Sequence, residues 1–162
     1  MKKILVIIAI LVSSLTQAQQ EIKVDVFDAL VLKTVEISYE YYVNEKSSVG
    51  ISALFNFEKK SADFRYGEDK AITPYFRHYF TTEATWNFFG EAFVAINSGE
   101  KEIENSPNIG YTDGALGIAV GTKYISDGGF TIDGYAGLGR NLFGSNSPII
   151  VPRVGLNLGF RF

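Results

Sequence analysis

The chain has no cysteine, a single histidine, a single methionine, a single tryptophan and only four prolines in 162 residues. Without cysteine there is no disulfide, no thiolate metal site, no cysteine nucleophile and no lipid-anchored lipoprotein start. The one histidine, His78, has no serine, cysteine or paired carboxylate spaced to make a recognisable triad with it. Beyond the first eighteen residues no run approaches the roughly twenty apolar residues that a membrane-crossing helix needs. Basic charge is scarce as well. The 15 Lys and Arg are outnumbered by 18 Asp and Glu, which argues against nucleic acid as a partner because that surface rewards clustered cations.

What is abundant points to sheet. Sixteen glycines, thirteen phenylalanines and nine tyrosines favour strands over helices, and the length suits one domain, enough for a closed barrel of eight short strands. At the N-terminus Lys2 and Lys3 precede the apolar run Ile4 to Val12, and Ser13 to Ala18 supplies small and polar residues. That layout is a secretory signal over residues 1–18, with cleavage expected after Ala18 and a mature domain over 19–162. Loss of the two lysines leaves thirteen basic against eighteen acidic residues, a net charge of −5.

The stretch from Ile149 to Phe162 carries the strongest pattern. Ile150, Val154, Leu156, Leu158, Phe160 and Phe162 alternate with Arg153, Gly155, Asn157, Gly159 and Arg161. In a strand this makes one apolar face and one polar or side-chain-free face. The same alternation recurs along the chain. Ile22, Val24 and Val26 alternate with Lys23 and Asp25, and the apolar parity changes by Val35, placing a hairpin loop near Asp28 to Leu32. Val35 to Val43, Val49 to Phe57, Lys70 to Phe80, Phe88 to Asn97, Tyr111 to Tyr124 and Phe130 to Asn141 complete the predicted strands. Connections at Asn44 to Ser47, Thr81 to Asn87 and Ser126 to Gly129 are short; those at Glu58 to Asp69, Ser98 to Gly110 and Leu142 to Pro148 are longer. Pro74 cannot donate to a ladder, so its neighbourhood reads as an irregular strand end. Short turns on one rim and long loops on the other is the asymmetry of outer-membrane barrels.

Parity also sorts the charges. One face collects Lys23, Asp25, Glu36, Glu40, Arg77, Glu91, Lys123, Asp133, Arg140 or its neighbour, Arg153 and Arg161. The other is Val, Ile, Leu and Phe, with Tyr39, Tyr41, Phe80, Trp86, Phe88, Phe160 and Phe162 near strand ends, where a lipid-interface girdle would sit. The fold expected is therefore all-β: an eight-stranded antiparallel up-and-down transmembrane barrel with a polar, side-chain-filled interior. Eight strands leave room for side chains but not for an aqueous channel, so large-solute transport is not expected. Glu36, Glu40, Arg77, Glu91, Lys123, Asp133, Arg153 and Arg161 are expected to form an interior salt-bridged plug, and His78 to face outward near the short-turn rim. The acidic run around Glu100 to Glu104 reads as a solvated loop. Gly137-Leu138-Gly139 lies within a strand pattern and lacks the third glycine of a dinucleotide fingerprint.

The Glu36-x-Ser38-x-Glu40 strand, the Arg77-His78-Tyr79-Phe80 segment, the Gly114 to Tyr124 strand and Asp133 to Gly139 resemble small outer-membrane barrels, and more narrowly an uncharacterised Bacteroidota family, domain of unknown function 3575. The likeness covers nearly all of the mature chain and implies an outer-membrane address, with no catalytic residues to carry over. The short first hairpin departs from many small barrels. Phe162, ending an alternating strand after Phe160, looks like the signal read by barrel-assembly machinery. The expected role is non-enzymatic and cofactor-free: envelope structure or surface interaction with an extracellular ligand or protein, through loops 58–69 and 98–110, in an outer-membrane lipid setting. Two alternatives stand beside it: a lipid-modifying outer-membrane enzyme, and a periplasmic lipocalin-like binder whose apolar face would line a pocket.

Overall fold

The computed structural model describes residues 19–27, 33–57, 68–82, 84–103, 106–144 and 146–162. Among these residues the chain forms eight strands: β1 (Gln20–Asp25), β2 (Thr34–Asn44), β3 (Ser47–Asn56), β4 (Glu68–Tyr79), β5 (Trp86–Ile103), β6 (Ser106–Ile125), β7 (Phe130–Asn141) and β8 (Ile150–Arg161). Each pairs antiparallel with its neighbour in sequence, and β8 returns to β1 to close a barrel. Closure removes both sheet edges. It is sealed where Gln20 N donates to Phe162 O (3.0 Å) and Phe162 N to Gln20 O (2.9 Å).

The two-residue side-chain period decides which way each residue faces. Along β8, Arg153 and Asn157 are buried while Val154, Leu156, Leu158 and Phe160 are exposed. The other strands repeat this inversion of a soluble core: Ile118 is 72% exposed on the outside, whereas Phe89 is 1% and Lys123 0% exposed within. An outer surface made of Ile72, Val94, Leu116, Val120 and Leu138 is stable only against hydrocarbon. The lipocalin-like alternative required the opposite placement, and the charged lumen removes it.

Connections on the terminal-bearing rim are tight. Asn44 Oδ1 accepts from Lys46 N (2.9 Å) in the β2–β3 turn, and Thr81 Oγ1 accepts from Phe88 N (2.9 Å) after β4. In the β6–β7 turn Gly129 has φ +86°, and a Cβ there would lie 2.5 Å from Arg161 O. Only glycine suits both the left-handed backbone and the close approach.

The structure departs from the sequence reading at three places and decides a fourth that the reading left open. The expected loop Ser98 to Gly110 is mostly strand, because β5 and β6 continue upward in register through Gly99↔Tyr111 and Lys101↔Ile109; polar composition marked solvent exposure, which a hairpin projecting past the belt shares with a loop. Glu68 and Asp69 belong to β4 rather than to the preceding loop, with a register shift between Glu68 and Lys70. Pro74 sits in mid-strand opposite Ile51, and β4–β5 pairing passes from Ile72↔Ile96 to Tyr75↔Phe93 around it. Arg140 is on the exposed face, so its neighbour Asn141 is the inward residue. The hairpin loop expected near Asp28 to Leu32, residues 58–67 and the expected signal lie outside the described residues.

Candidate functional site: the ion-paired lumen

The alternation that turns Ile, Leu and Val toward lipid necessarily turns the intervening residues inward, from all eight strands at once. At the centre, Glu40 of β2 accepts from Lys23 Nζ (2.5 Å), Lys123 Nζ (3.0 Å), Arg77 Nη1 (3.3 Å), Ser48 Oγ (2.6 Å) and Tyr79 Oη (2.7 Å). Asp133 of β7 takes Lys23 (3.1 Å) and Arg77 (3.2 Å), while Lys123 also reaches Glu21 (3.1 Å). Toward the long-loop rim, Arg77 Nε and Arg153 Nε share Glu91 at 2.6 and 2.8 Å, and Arg153 Nη1 reaches Glu36 at 3.3 Å. All of these side chains are at most 9% exposed. Aromatic rings fill what the ions leave: Arg77 stacks over Phe89 (4.2 Å) and Arg153 over Tyr135 (5.0 Å). Tyr75 lies against Gly50 in direct contact.

The oxygens of Glu21, Glu40 and Asp133 lie within 4.8 Å of one another, close enough to hold a metal. The Lys123 ammonium already reaches all three, at 3.1, 3.0 and 3.6 Å. These carboxylates are ligands of a lysine, and the centre is a solid septum of charge pairs.

Two spaces flank the septum. At the short-turn mouth a cavity of about 410 Å³ is lined by Tyr42, Tyr79, Asn87, Thr81, Thr82 and Arg161. Arg161 stacks on Tyr42 (4.1 Å) and donates to Gln19 (2.9 Å). On the other side a pocket of about 20 Å³ lies among Glu36, Glu68, Asn97 and Arg153.

Above the belt, Asp113 of β6 clasps the β7–β8 connection. Its Oδ1 accepts from Phe143 N (2.9 Å) and Gly114 N (2.7 Å), and its Oδ2 from Gly144 N (2.8 Å) and the Ser147 hydroxyl. The neighbouring outward positions there are Gly110 and Thr112, so Asp113 lies outside the apolar belt. The Ser147 hydroxyl first, then the three backbone N–H groups, hold its carboxyl down at about 2.

Every residue expected in the interior plug faces the lumen, with Arg161 at its short-turn end. His78 faces outward, its ring edge-on to Phe80 and its Nδ1 3.2 Å from Ser47 Oγ. Sequence reasoning passed over Glu21, although it shares the parity of Lys23 and Asp25. It also passed over Glu68, which polar composition had assigned to a loop, and over Asn97 and Asp113, which lay within predicted strands.

The sequence matches the model of one family over residues 4–146. The chain belongs to the family described as Protein of unknown function (DUF3575). Solved structures share this member's fold at low identity. The N-terminal β-barrel domain of Pseudomonas aeruginosa OprF superposes with a TM-score of 0.63 at 14% identity, over 90% of this chain and 96% of that one. Neisserial surface protein A gives 0.57 at 13% identity, over 90% and 96%. Ail of Yersinia pestis, determined in a phospholipid bilayer nanodisc, gives 0.52 at 14% identity, over 90% and 100%. No curated protein matches the sequence. The DUF3575 chain thus has the fold of eight-stranded bacterial outer-membrane barrels.

Proposed function

We propose that this DUF3575 protein is an integral barrel of the bacterial outer membrane, without enzymatic activity. Its role is in envelope structure or surface interaction through the long-loop rim, at residues 58–69 and the β5–β6 hairpin over 98–110. The septum around Glu40 carries this reading: three cations and their acid partners fill the lumen at hydrogen-bond distance, which leaves no route for a large solute. The β5–β6 hairpin, which continues past the belt on the side away from the termini, then remains as a means of contact. The apolar outer face supports the membrane setting, the expected signal over residues 1–18 supports export, and Phe160 and Phe162 on the closing strand suit recognition by barrel-assembly machinery.

The test is fractionation with heat-modifiable gel migration, followed by a binding screen of intact cells against cells whose barrel has both long loops trimmed. Outer-membrane fractionation, a folded band that shifts on boiling and loop-dependent binding are expected. A chain that stays soluble without detergent would overturn the membrane reading, and binding that survives trimming would overturn the loop role.

The Ser47–His78 contact at 3.2 Å is the one observation that favours a lipid-modifying enzyme. Among the described residues no carboxylate meets the other ring nitrogen, so the general base lacks its orienting partner. A Ser47→Ala strain with an altered lipid A or phospholipid profile would favour that reading; an unaltered profile counts against it.

A further inference from the structure

The outer wall carries its charge at one level. Among the strand residues whose burial is described, the exposed cations are Lys70 of β4 and Arg140 of β7, and no strand carboxylate is exposed beside them. Cross-strand partners share a face; those of Arg140 are the outward Leu116 and Ile150, while Lys70 stands opposite the outward Phe55. Each cation is ten residues from an aromatic at the short-turn rim: Arg140 from Phe130 along β7, and Lys70 from Phe80 at the foot of β4. Ten residues of strand run roughly 33 Å, which a barrel tilt of about 40° converts to about 25 Å of height. That is the thickness of the apolar belt. Phe80 and Phe130 mark the interface on one side of the membrane, so both cations stand at the other, level with the lipid headgroups.

Among the described residues Arg140 finds no acid on the surface around it. Its outward neighbours along the chain are Leu138 and Leu142, and with Leu116 and Ile150 they surround the position with exposed apolar side chains. Lys70 differs in having the half-buried Asp69 beside it. A guanidinium stays charged in any setting and is costly on a lipid face away from the headgroups, so the unpaired Arg140 calls for an anion supplied by the membrane. Just beyond it, away from the belt, Phe143 is 82% exposed. Its N–H is held by Asp113 Oδ1 (2.9 Å), and its ring lies over Gly114, where a Cβ would come within 2.9 Å of the ring edge. A fixed aromatic thus stands above a free cation on the same wall.

We propose that Arg140 and Phe143 form a binding site for a phosphorylated glycolipid headgroup in the leaflet on the long-loop side. Arg140 presents its fork of N–H donors to the phosphate, a bidentate match that lysine lacks. Phe143 covers the apolar face of the sugar that carries the phosphate, and Leu116, Leu138 and Ile150 line the acyl chains beneath. A zwitterionic lipid brings its own ammonium to its phosphate and needs the guanidinium less, and a glycerol headgroup offers no ring to Phe143. The site rests on the membrane setting proposed above and is independent of what the loops bind.

The test uses the full barrel refolded in maltoside micelles in phosphate-free buffer, with bound lipid counted by native mass spectrometry. The probes are diphosphoryl lipid A, its dephosphorylated form and phosphatidylglycerol. Wild type should retain lipid A in preference to both others. Arg140→Gln should weaken that retention about ten-fold or more, and Phe143→Ala should bring lipid A down to the level of phosphatidylglycerol. Lys46→Gln, on the exposed turn of the opposite rim, should change nothing. Equal retention of lipid A and its dephosphorylated form, or equal retention by wild type and Arg140→Gln, would overturn the phosphate contact. Phosphatidylglycerol held as tightly as lipid A by wild type would overturn the glycolipid assignment. A chain that needs no micelle to stay soluble would overturn the membrane reading and this site with it, whereas a folded barrel that retains no lipid A would overturn the site alone.

Discussion

Glu40→Gln is the most direct perturbation of the septum. The glutamine keeps the volume and can still pair with Ser48 and Tyr79, which lie 2.6 and 2.7 Å from the present carboxylate. It cannot hold three cations. Lys23 loses its 2.5 Å partner and keeps only Asp133 at 3.1 Å, an acceptor that Arg77 also uses at 3.2 Å. Lys123 keeps Glu21 at 3.1 Å, and Arg77 keeps Glu91 at 2.6 Å. Breaking a buried ion pair by removing one partner costs about 3–5 kcal/mol, because a desolvated charge is left behind. Here each cation retains at least one carboxylate, so the loss should fall at the lower end, about 3 kcal/mol. The measurement is urea unfolding of the barrel refolded in detergent micelles, followed by the gel shift between folded and unfolded bands. Glu45→Gln, on the exposed β2–β3 turn, should change stability by less than about 0.5 kcal/mol. If Glu40→Gln also stays within that margin, the lumen is hydrated enough to screen its charges and the septum is not the dry plug described above.

Ile118→Arg places a charge on the lipid face where the native side chain is 72% exposed; near the bilayer midplane it should cost about 2–4 kcal/mol in vesicle refolding, and refolding at wild-type stability would refute the lipid-facing assignment. Gly137→Val drives a side chain into Ile118 O and the Ala119 Cβ, where backbone cannot yield as a flexible side chain would, so a loss of about 1–3 kcal/mol or more is expected in the same assay. The Asp113 clasp is acid-sensitive in a definite direction. Its folded value of about 2 lies below the ~3.9 of an unfolded aspartate, so its contribution is fully present above about pH 4 and is lost as pH falls through about 2. Amide exchange at Phe143 and Gly144 should therefore be slow in wild type at pH 5 and fast in Asp113→Ala, with the two becoming alike only in strong acid.

The sequence by itself determined the strand period, and with it which residues face lipid and which face one another. A side-chain repeat of two is a local property of extended backbone, so Leu156 and Arg153 were assigned to opposite faces without knowledge of any neighbour. The eight-strand count followed from the same repeat, because its breaks coincided with polar or glycine-rich segments, except at Asp28 to Leu32, where a change of parity alone marked the turn. What only the tertiary structure decided is pairing. Glu40 meets Lys23, Arg77 and Lys123 because barrel closure and stagger bring four strands to one level, and no spacing along the chain encodes that level. The bulge before Lys70 hid Glu68 by shifting its parity, and solvent-exposed strand in the β5–β6 hairpin is indistinguishable from loop by composition. Local chemistry sets the direction a side chain points; global closure chooses the group it finds there.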